Sequence, residues 1–457
     1  MLSLKPWKLW TLVLFASAAF YALYFLGLTR TGLLGPDEPR YAAIGQAMAA
    51  SGDWITPRLW EHPWFEKPAL LYWTTALGFR AGLDPDLAPR LPVAVAGVVF
   101  LVYFFVALRR EFGAPAALYA MAILATSAGW LAFSRVAVTD LPMAAAFAAS
   151  MLALLGGRPL VAGVLLGLAV LAKGLVPLAL FLPALWFFRD RVRALVLTLG
   201  AAVVIAAPWY ILVTLRNGMP FLEDFFWKQH FARFVTGALQ HEQPFWFYVP
   251  VLVAGIFPWS PLLLLLGGKH LYKDHRAVFL AVWLVWGFLF FSVSRNKLPG
   301  YLLPLLPAAA ALIGVALEQA RRRSAFIATL LASCAALLWF VPTLQELLPQ
   351  ALLAGISHAA PLQVSVAWLF PVLAAAAACI VLEKTGHRAP AVALVAVLMT
   401  LAVVRLVWQT YPVLDRTVSA RSLWRTRGGS ITCVPRGQRS LRYGLDYYAG
   451  RDLPDCN

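Results

Sequence analysis

Apolar runs long enough to cross a bilayer recur from one end of this chain to the other, and most of its Lys and Arg fall in the short segments between them. A hydrocarbon core about 30 Å thick is crossed by ~20 apolar residues in a helix. Inside it every backbone N–H and C=O must be bonded internally, which leaves helices or closed barrels. The runs are continuously apolar and lack the period-two alternation of barrel strands, so helices are the reading. Runs near residues 10–29, 91–108, 114–133, 141–156, 159–173, 174–188, 194–214, 246–266, 276–294, 301–317, 325–342, 363–382 and 389–410 predict an all-α polytopic membrane protein of about thirteen transmembrane helices. Lys173-Gly174 interrupts the apolar stretch 161–188, which is read as two short spans joined by a tight turn. Only 13% of residues are charged, against about 25% in soluble domains, so an ordinary soluble enzyme is excluded.

The formal charge of +17 comes from 38 Lys and Arg against 21 Asp and Glu. These cations are scattered in small clusters instead of forming one patch, so they read as topology signals and no nucleic-acid partner is expected. Arg109 with Arg110, Arg158, Arg189 with Arg191 and Arg193, Lys269 with Lys273, Arg321 to Arg323, and Lys384 with Arg388 all fall on one side of a thirteen-span path, the cytoplasmic side by the positive-inside rule. The loop 30–90, the loop 216–244, the segment 295–298 and the tail from 411 onward are then on the outer face. The chain divides into a transmembrane domain, 1–410, and a short outer-face tail, 411–457. The tail is itself basic, which strains the rule. On the outer side Cys433 and Cys456 would meet an oxidising space and pair; Cys334 and Cys379 read as small buried hydrophobes.

The first outer loop holds Gly35-Pro36-Asp37-Glu38-Pro39-Arg40-Tyr41, then Trp60, and then His62-Pro63-Trp64-Phe65-Glu66-Lys67-Pro68. Ionisable groups held near hydrocarbon cost free energy unless they pair or do chemistry. Residues 38–48 and 68–83 read as two short interfacial helices. Each residue has a plainer reading beside the functional one. Asp37 suits a helix N-terminus, Glu66-Lys67 an exposed ion pair, and Lys173 a snorkelling helix end. His230 and His241 lie among aromatics of the kind that line interfaces, and most tryptophans fit an aromatic belt at span ends; Trp60 and Trp64, inside the charged loop, do not.

The fragments Asp37-Glu38-Pro39-Arg40-Tyr41, Phe65-Glu66-Lys67-Pro68, Thr139-Asp140-Leu141-Pro142, Lys173-Gly174, the pair His230 and His241, and Lys297-Leu298-Pro299-Gly300-Tyr301 occur in the order seen in GT-C membrane glycosyltransferases. Between about residues 10 and 310 the chain resembles the lipid A aminoarabinose transferases and their relatives in the protein mannosyltransferase superfamily. The resemblance implies transfer of a sugar, with inversion, from an undecaprenyl or other polyprenyl phosphate to a lipid A-like or other envelope acceptor. The setting it implies is a bacterial inner membrane, with the active site facing the periplasm and 30–90 as the catalytic loop. No nucleotide cofactor is expected.

The chemistry suits these residue types. Expelling a lipid phosphate requires cations in a partly dry pocket: Lys67, matching the family's phosphate-contacting lysine, with Arg295, Lys297 and Lys173. Asp37 matches the family's first-loop acid and would orient or deprotonate the acceptor; Asp140 and Glu66 complete the catalytic candidates. Arg40, Tyr41, Trp60 and Trp64 are candidate substrate contacts, although relatives often carry tyrosine where Trp64 stands. Glu66 with His230 and His241 could hold a divalent metal ion, as in some family members. The rival class is a secondary transporter or lipid flippase, which would place charge at mid-membrane and show repeated halves. No repeat is visible.

Overall fold

The computed structural model describes residues 6–232, 242–355 and 366–456. It is almost wholly helical: α1 (Pro6–Tyr24), α2 (Asp37–Ser51), α3 (Leu70–Arg80), α4 (Leu91–Phe112), α5 (Ala114–Ala125), α6 (Ala128–Ser134), α7 (Asp140–Leu155), α8 (Pro159–Lys173), α9 (Val176–Phe187) and α10 (Val192–Asn217) are followed by further apolar helices up to residue 417. The only sheet among the described residues is the two-residue pair β1 (Arg58–Leu59) and β2 (His62–Pro63) in the first loop. Among the described residues seven helices are long and apolar enough to cross a membrane, or up to nine if each of two bent pairs counts as one span.

Within the described residues the apolar runs read from the sequence are helical, but two are broken where a single span was expected. The run 114–133 bends by 60° between α5 and α6, and Phe245–Gly255 turns by 114° into Ser260–Gly267. The breaks satisfy one another. Ala128 N–H donates to the Phe257 carbonyl at 2.8 Å, and the Trp259 indole donates to Thr126 Oγ1 at 2.9 Å. Freed polar groups inside an apolar region survive only with such partners. The break at Lys173-Gly174 is as expected: α8 ends there, Gly174 takes a positive φ, and α9 begins at Val176.

Small residues set the tightest packing. Gly163 and Gly167, four apart on α8, face α10 so closely that a Cβ on Gly167 would lie 2.7 Å from the Ile205 side chain, the backbone approach that small-xxx-small spacing permits between apolar helices. The segment Pro299–Gln319 is central, with 94% of its apolar window buried, whereas Val366–Lys384 is peripheral at 17%.

The first loop folds onto this frame instead of lying loosely at an interface. Ile44 and Met48 of α2 are buried in the main core. Glu38 and Arg90 form a buried pair in which Arg90 Nε and Nη2 donate to Glu38 Oε1 and Oε2 at 2.8 and 2.7 Å. Arg90 also donates to the carbonyls of Leu28, Thr31 and Gly32, while Glu38 accepts from Leu34 N and Ala137 N. One ion pair thereby ties the segment after α1, the start of α2, the residue before α4 and the connection before α7. The loop's far end is stitched to α10: Arg216 pairs with Asp53 at 2.8 Å, and the Trp209 indole donates to the Ile55 carbonyl at 3.0 Å.

Candidate functional site

Residues Asp37 and Arg40 are in the first turn of α2, where Arg40 also donates to the Pro36 carbonyl. Glu66 and Lys67 precede α3 and are held by Phe65, which packs with Val170 and Leu171 of α8 and with Phe221 in a second apolar cluster. The four charges form one alternating chain. Asp37 Oδ1 accepts from Arg40 Nη2, Arg40 Nη1 lies 2.9 Å from Glu66 Oε2, and Lys67 Nζ donates to Glu66 Oε1 at 3.2 Å. Carboxylate 37 is the open end, 48% exposed, and Arg40 the sealed middle, 3% exposed. Burial alone would lower the Arg40 pKa; Glu66, Tyr41 and Asp37 outweigh it and hold the guanidinium charged. Burial, reinforced by Glu66, pushes the Tyr41 and Tyr72 phenols well up, so both stay protonated.

Aromatic rings surround Arg40. Its guanidinium is 5.5 Å from the Trp64 ring centre, 5.6 Å from Tyr41 and 5.1 Å from Tyr443. Trp60 and Glu61 form the two-residue turn between β1 and β2, both at positive φ. Side chains other than glycine adopt that conformation at a cost on the order of 1–3 kcal/mol, a kind of strain concentrated at functional sites. The buried indole N–H groups of Trp60 and Trp64, with the hydroxyls of Tyr72 and Thr139, lack partners among the described residues. They are hydrogen-bonding capacity available to a polar ligand.

A second cluster lies at the ends of α7 and α8. Lys173 Nζ donates to Asp140 Oδ1 at 2.5 Å and lies 4.9 Å from the centre of the Tyr301 ring. Phe65 and α8 link the two clusters, since Val170 and Leu171 precede Lys173 by less than one turn. The remaining cations are placed differently. Lys297 is buried and donates to the Gln243 and Ser294 carbonyls at 3.0 and 2.5 Å, with its pKa lowered by burial despite Glu242; its geometry is that of an anchor for the segment entering Pro299–Gln319. Arg295 is exposed. His241 is outside the described residues, as is the side chain of His230. Among the described residues no three His, Cys, Asp or Glu gather as metal ligands, and the Glu66 oxygens already face Arg40 and Lys67.

Sequence reasoning missed the buried pair Glu38–Arg90 and the contribution of the tail. Arg421 donates to Asp86 Oδ2 at 2.6 Å and to Asp415 Oδ1 at 2.9 Å, the Tyr447 hydroxyl reaches the Pro85 carbonyl, and that of Tyr448 reaches Asp86. The helix Arg439–Ala449 thereby rests on α2 and delivers Tyr443 to Arg40. Cys433 and Cys456 are disulfide-bonded, and Val434 forms an isolated parallel bridge with Asp455. The ring of Tyr443 beside three arginines in the tail was the available signal; its partner across the chain was not.

Residues 66–212 match the family model described as dolichyl-phosphate-mannose-protein mannosyltransferase. Over 334 residues the chain is 36% identical to the undecaprenyl phosphate-alpha-4-amino-4-deoxy-L-arabinose arabinosyl transferase of Pseudomonas aeruginosa strain UCBPP-PA14, an alignment covering 68% of this chain and 60% of that protein. The chain thus matches about 60% of the length of such relatives. In fold it superposes on ArnT from Cupriavidus metallidurans bound to undecaprenyl phosphate with a TM-score of 0.78 and 28% identity, covering 97% of this chain and 85% of that one. The Archaeoglobus fulgidus oligosaccharyltransferase shares the fold alone, at a TM-score of 0.50 and 14% identity over 86% of this chain and 56% of that one. In motif order, in aligned sequence and in tertiary fold, the chain resembles the ArnT-like GT-C membrane glycosyltransferases.

Proposed function

We propose that the protein is an inverting glycosyltransferase that moves a sugar from undecaprenyl or another polyprenyl phosphate to a lipid A-like or other envelope acceptor at the outer face of a bacterial inner membrane. The observation that carries this reading is the alternating chain Asp37–Arg40–Glu66–Lys67 in a loop seated on the spans. The named relatives favour a pentosyl donor. The acceptor oxygen attacks the anomeric carbon as the bond from that carbon to the phosphate oxygen breaks, and the phosphate departs with the electron pair. Lys67, with Lys173 as a second cation, meets the charge growing on that phosphate. Arg40 is committed to its two carboxylates and sets their spacing. Asp37, the exposed end, takes the proton from an acceptor hydroxyl or orients an acceptor phosphate that is already anionic.

Asp140 and Lys173 mark helix ends, the first residue of α7 and the last of α8, which favours a site at the membrane boundary over a transport path at mid-span. Counting the two bent pairs and the four shorter apolar helices with the seven long ones yields the thirteen-span topology we propose, with loop 30–90 and the tail in the periplasm and 411–457 as a separate small unit. A divalent cation at Glu66, completed by His230 and His241, is retained as a proposal; it would neutralise phosphate charge, and every step above is assigned to the chain's own residues. The test is reconstitution with radiolabelled undecaprenyl-phosphate sugars and a lipid extract. Wild type should label a lipid acceptor, with Asp37→Asn and Lys67→Ala reduced by about 100-fold or more, the scale of losing one charge-stabilising group. Equal labelling by all three proteins removes both residues from the site; uptake into vesicles without covalent product rejects the transferase.

A further inference from the structure

We infer that Tyr443, delivered by the C-terminal tail, is a positioning residue of the transferase site, acting through Arg40; this rests on the function proposed above. Arg40 touches both Asp37 and Glu66, so whatever fixes its guanidinium fixes the distance between the exposed acid and the carboxylate beside Lys67. Two rings reach it from opposite ends of the sequence, Trp64 from the loop and Tyr443 from the tail, at 5.5 and 5.1 Å. A guanidinium beside aromatic rings in a desolvated setting is held far more firmly than one facing water. Tyr443 is itself braced, with the exposed Arg439 5.8 Å from its ring centre.

The tail is built to put Tyr443 there. Arg421 is buried among Asp86, Asp415 and the carbonyls of Thr29 and Arg30. Tyr448 bridges Asp86 and the Leu33 amide, three residues before the turn that starts α2. Gly444, next to Tyr443, faces Ala420 so closely that a Cβ would stand 2.6 Å from the alanine methyl. The contacts to Thr29, Arg30 and Leu33 end just before the turn that carries Asp37 and Arg40, and those to Asp86 end on the α3–α4 connection. The tail is therefore a working wall of the site.

The experiment compares Tyr443→Phe, Tyr443→Leu and wild type in the full-length protein, in wild-type and Arg40→Lys backgrounds. Tyr443→Phe keeps the ring and should stay within about twofold of wild type. Tyr443→Leu should lower kcat about tenfold, the weight of one desolvated cation–ring contact, with the donor KM nearly unchanged because Lys67 is untouched. On the Arg40→Lys background it should add no further loss. Arg40 should also react faster with phenylglyoxal, read by mass spectrometry, in Tyr443→Leu and in Arg421→Gln, which undocks the tail while leaving Tyr443 intact. Arg421→Gln also serves if Tyr443→Leu does not fold. Full kcat in Tyr443→Leu, an additive loss with Arg40→Lys, or unchanged Arg40 reactivity overturns the inference. An inactive wild type instead rejects the transferase, and the Arg40 reactivity then decides the tail's placement by itself.

Discussion

Replacing Arg90 by methionine removes the cation that holds the loop to the spans. Glu38 is fully buried and Arg90 is 2% exposed, so the carboxylate left behind would have no counter-charge. Breaking a buried pair in this way costs about 3–5 kcal/mol. The carbonyls of Leu28, Thr31 and Gly32 lose donors at the same time, which keeps the figure at the upper end of that range. Neutralising both partners is gentler: in Arg90→Met with Glu38→Gln the amide oxygen can still accept from the Leu34 or Ala137 N–H, and the stranded charge is gone. The double variant should recover roughly half of the loss. Thermal unfolding in detergent, followed beside transfer activity, measures both effects. Activity should fall before global unfolding, because the first turn of α2 carries Asp37 and Arg40. Loss below about 1 kcal/mol in the single variant, or a double variant no more stable than the single one, refutes the reasoning.

Burial pushes the Asp446 carboxyl up to about 6, so the docked tail binds a proton more tightly than the undocked one. The Asp446 contribution to tail stability is then fully present below about pH 4 and is lost as pH rises to about 6, by up to roughly 3 kcal/mol; the difference in hydrogen exchange of the helix Arg439–Ala449 between wild type and Asp446→Asn should show this slope. At Gly300 an added Cβ would lie 2.7 Å from Asp140 Oδ1 and from the Phe133 ring. Gly300→Ala should therefore displace Asp140 from Lys173 and lower transfer at least several-fold with little change in expression, whereas unchanged activity would remove that ion pair from the mechanism.

Much of the site was legible because its residues are local to short motifs. Asp37 and Arg40 are three apart at a helix start, Glu66 and Lys67 are adjacent, and Lys173 precedes a glycine that can end a helix. For Lys297 the sequence left two readings, a phosphate contact or an anchor at a helix end, and the fold turns its ammonium group inward onto two backbone carbonyls. The breaks at 125–128 and 255–260 were invisible too, since hydropathy averages over about nineteen residues and does not register a bend.

The sequence by itself determined the class, a bundle of apolar helices with charge collected in the first loop, because the requirement to bond every backbone group in an apolar medium leaves few alternatives. Tertiary structure alone decided which charges meet. Glu38 finds Arg90 across 52 residues and Arg421 finds Asp86 across 335. Periodicity reports the face a residue presents but carries no information about the distant segment that will cover it, so the tail's place beside Arg40 followed from packing.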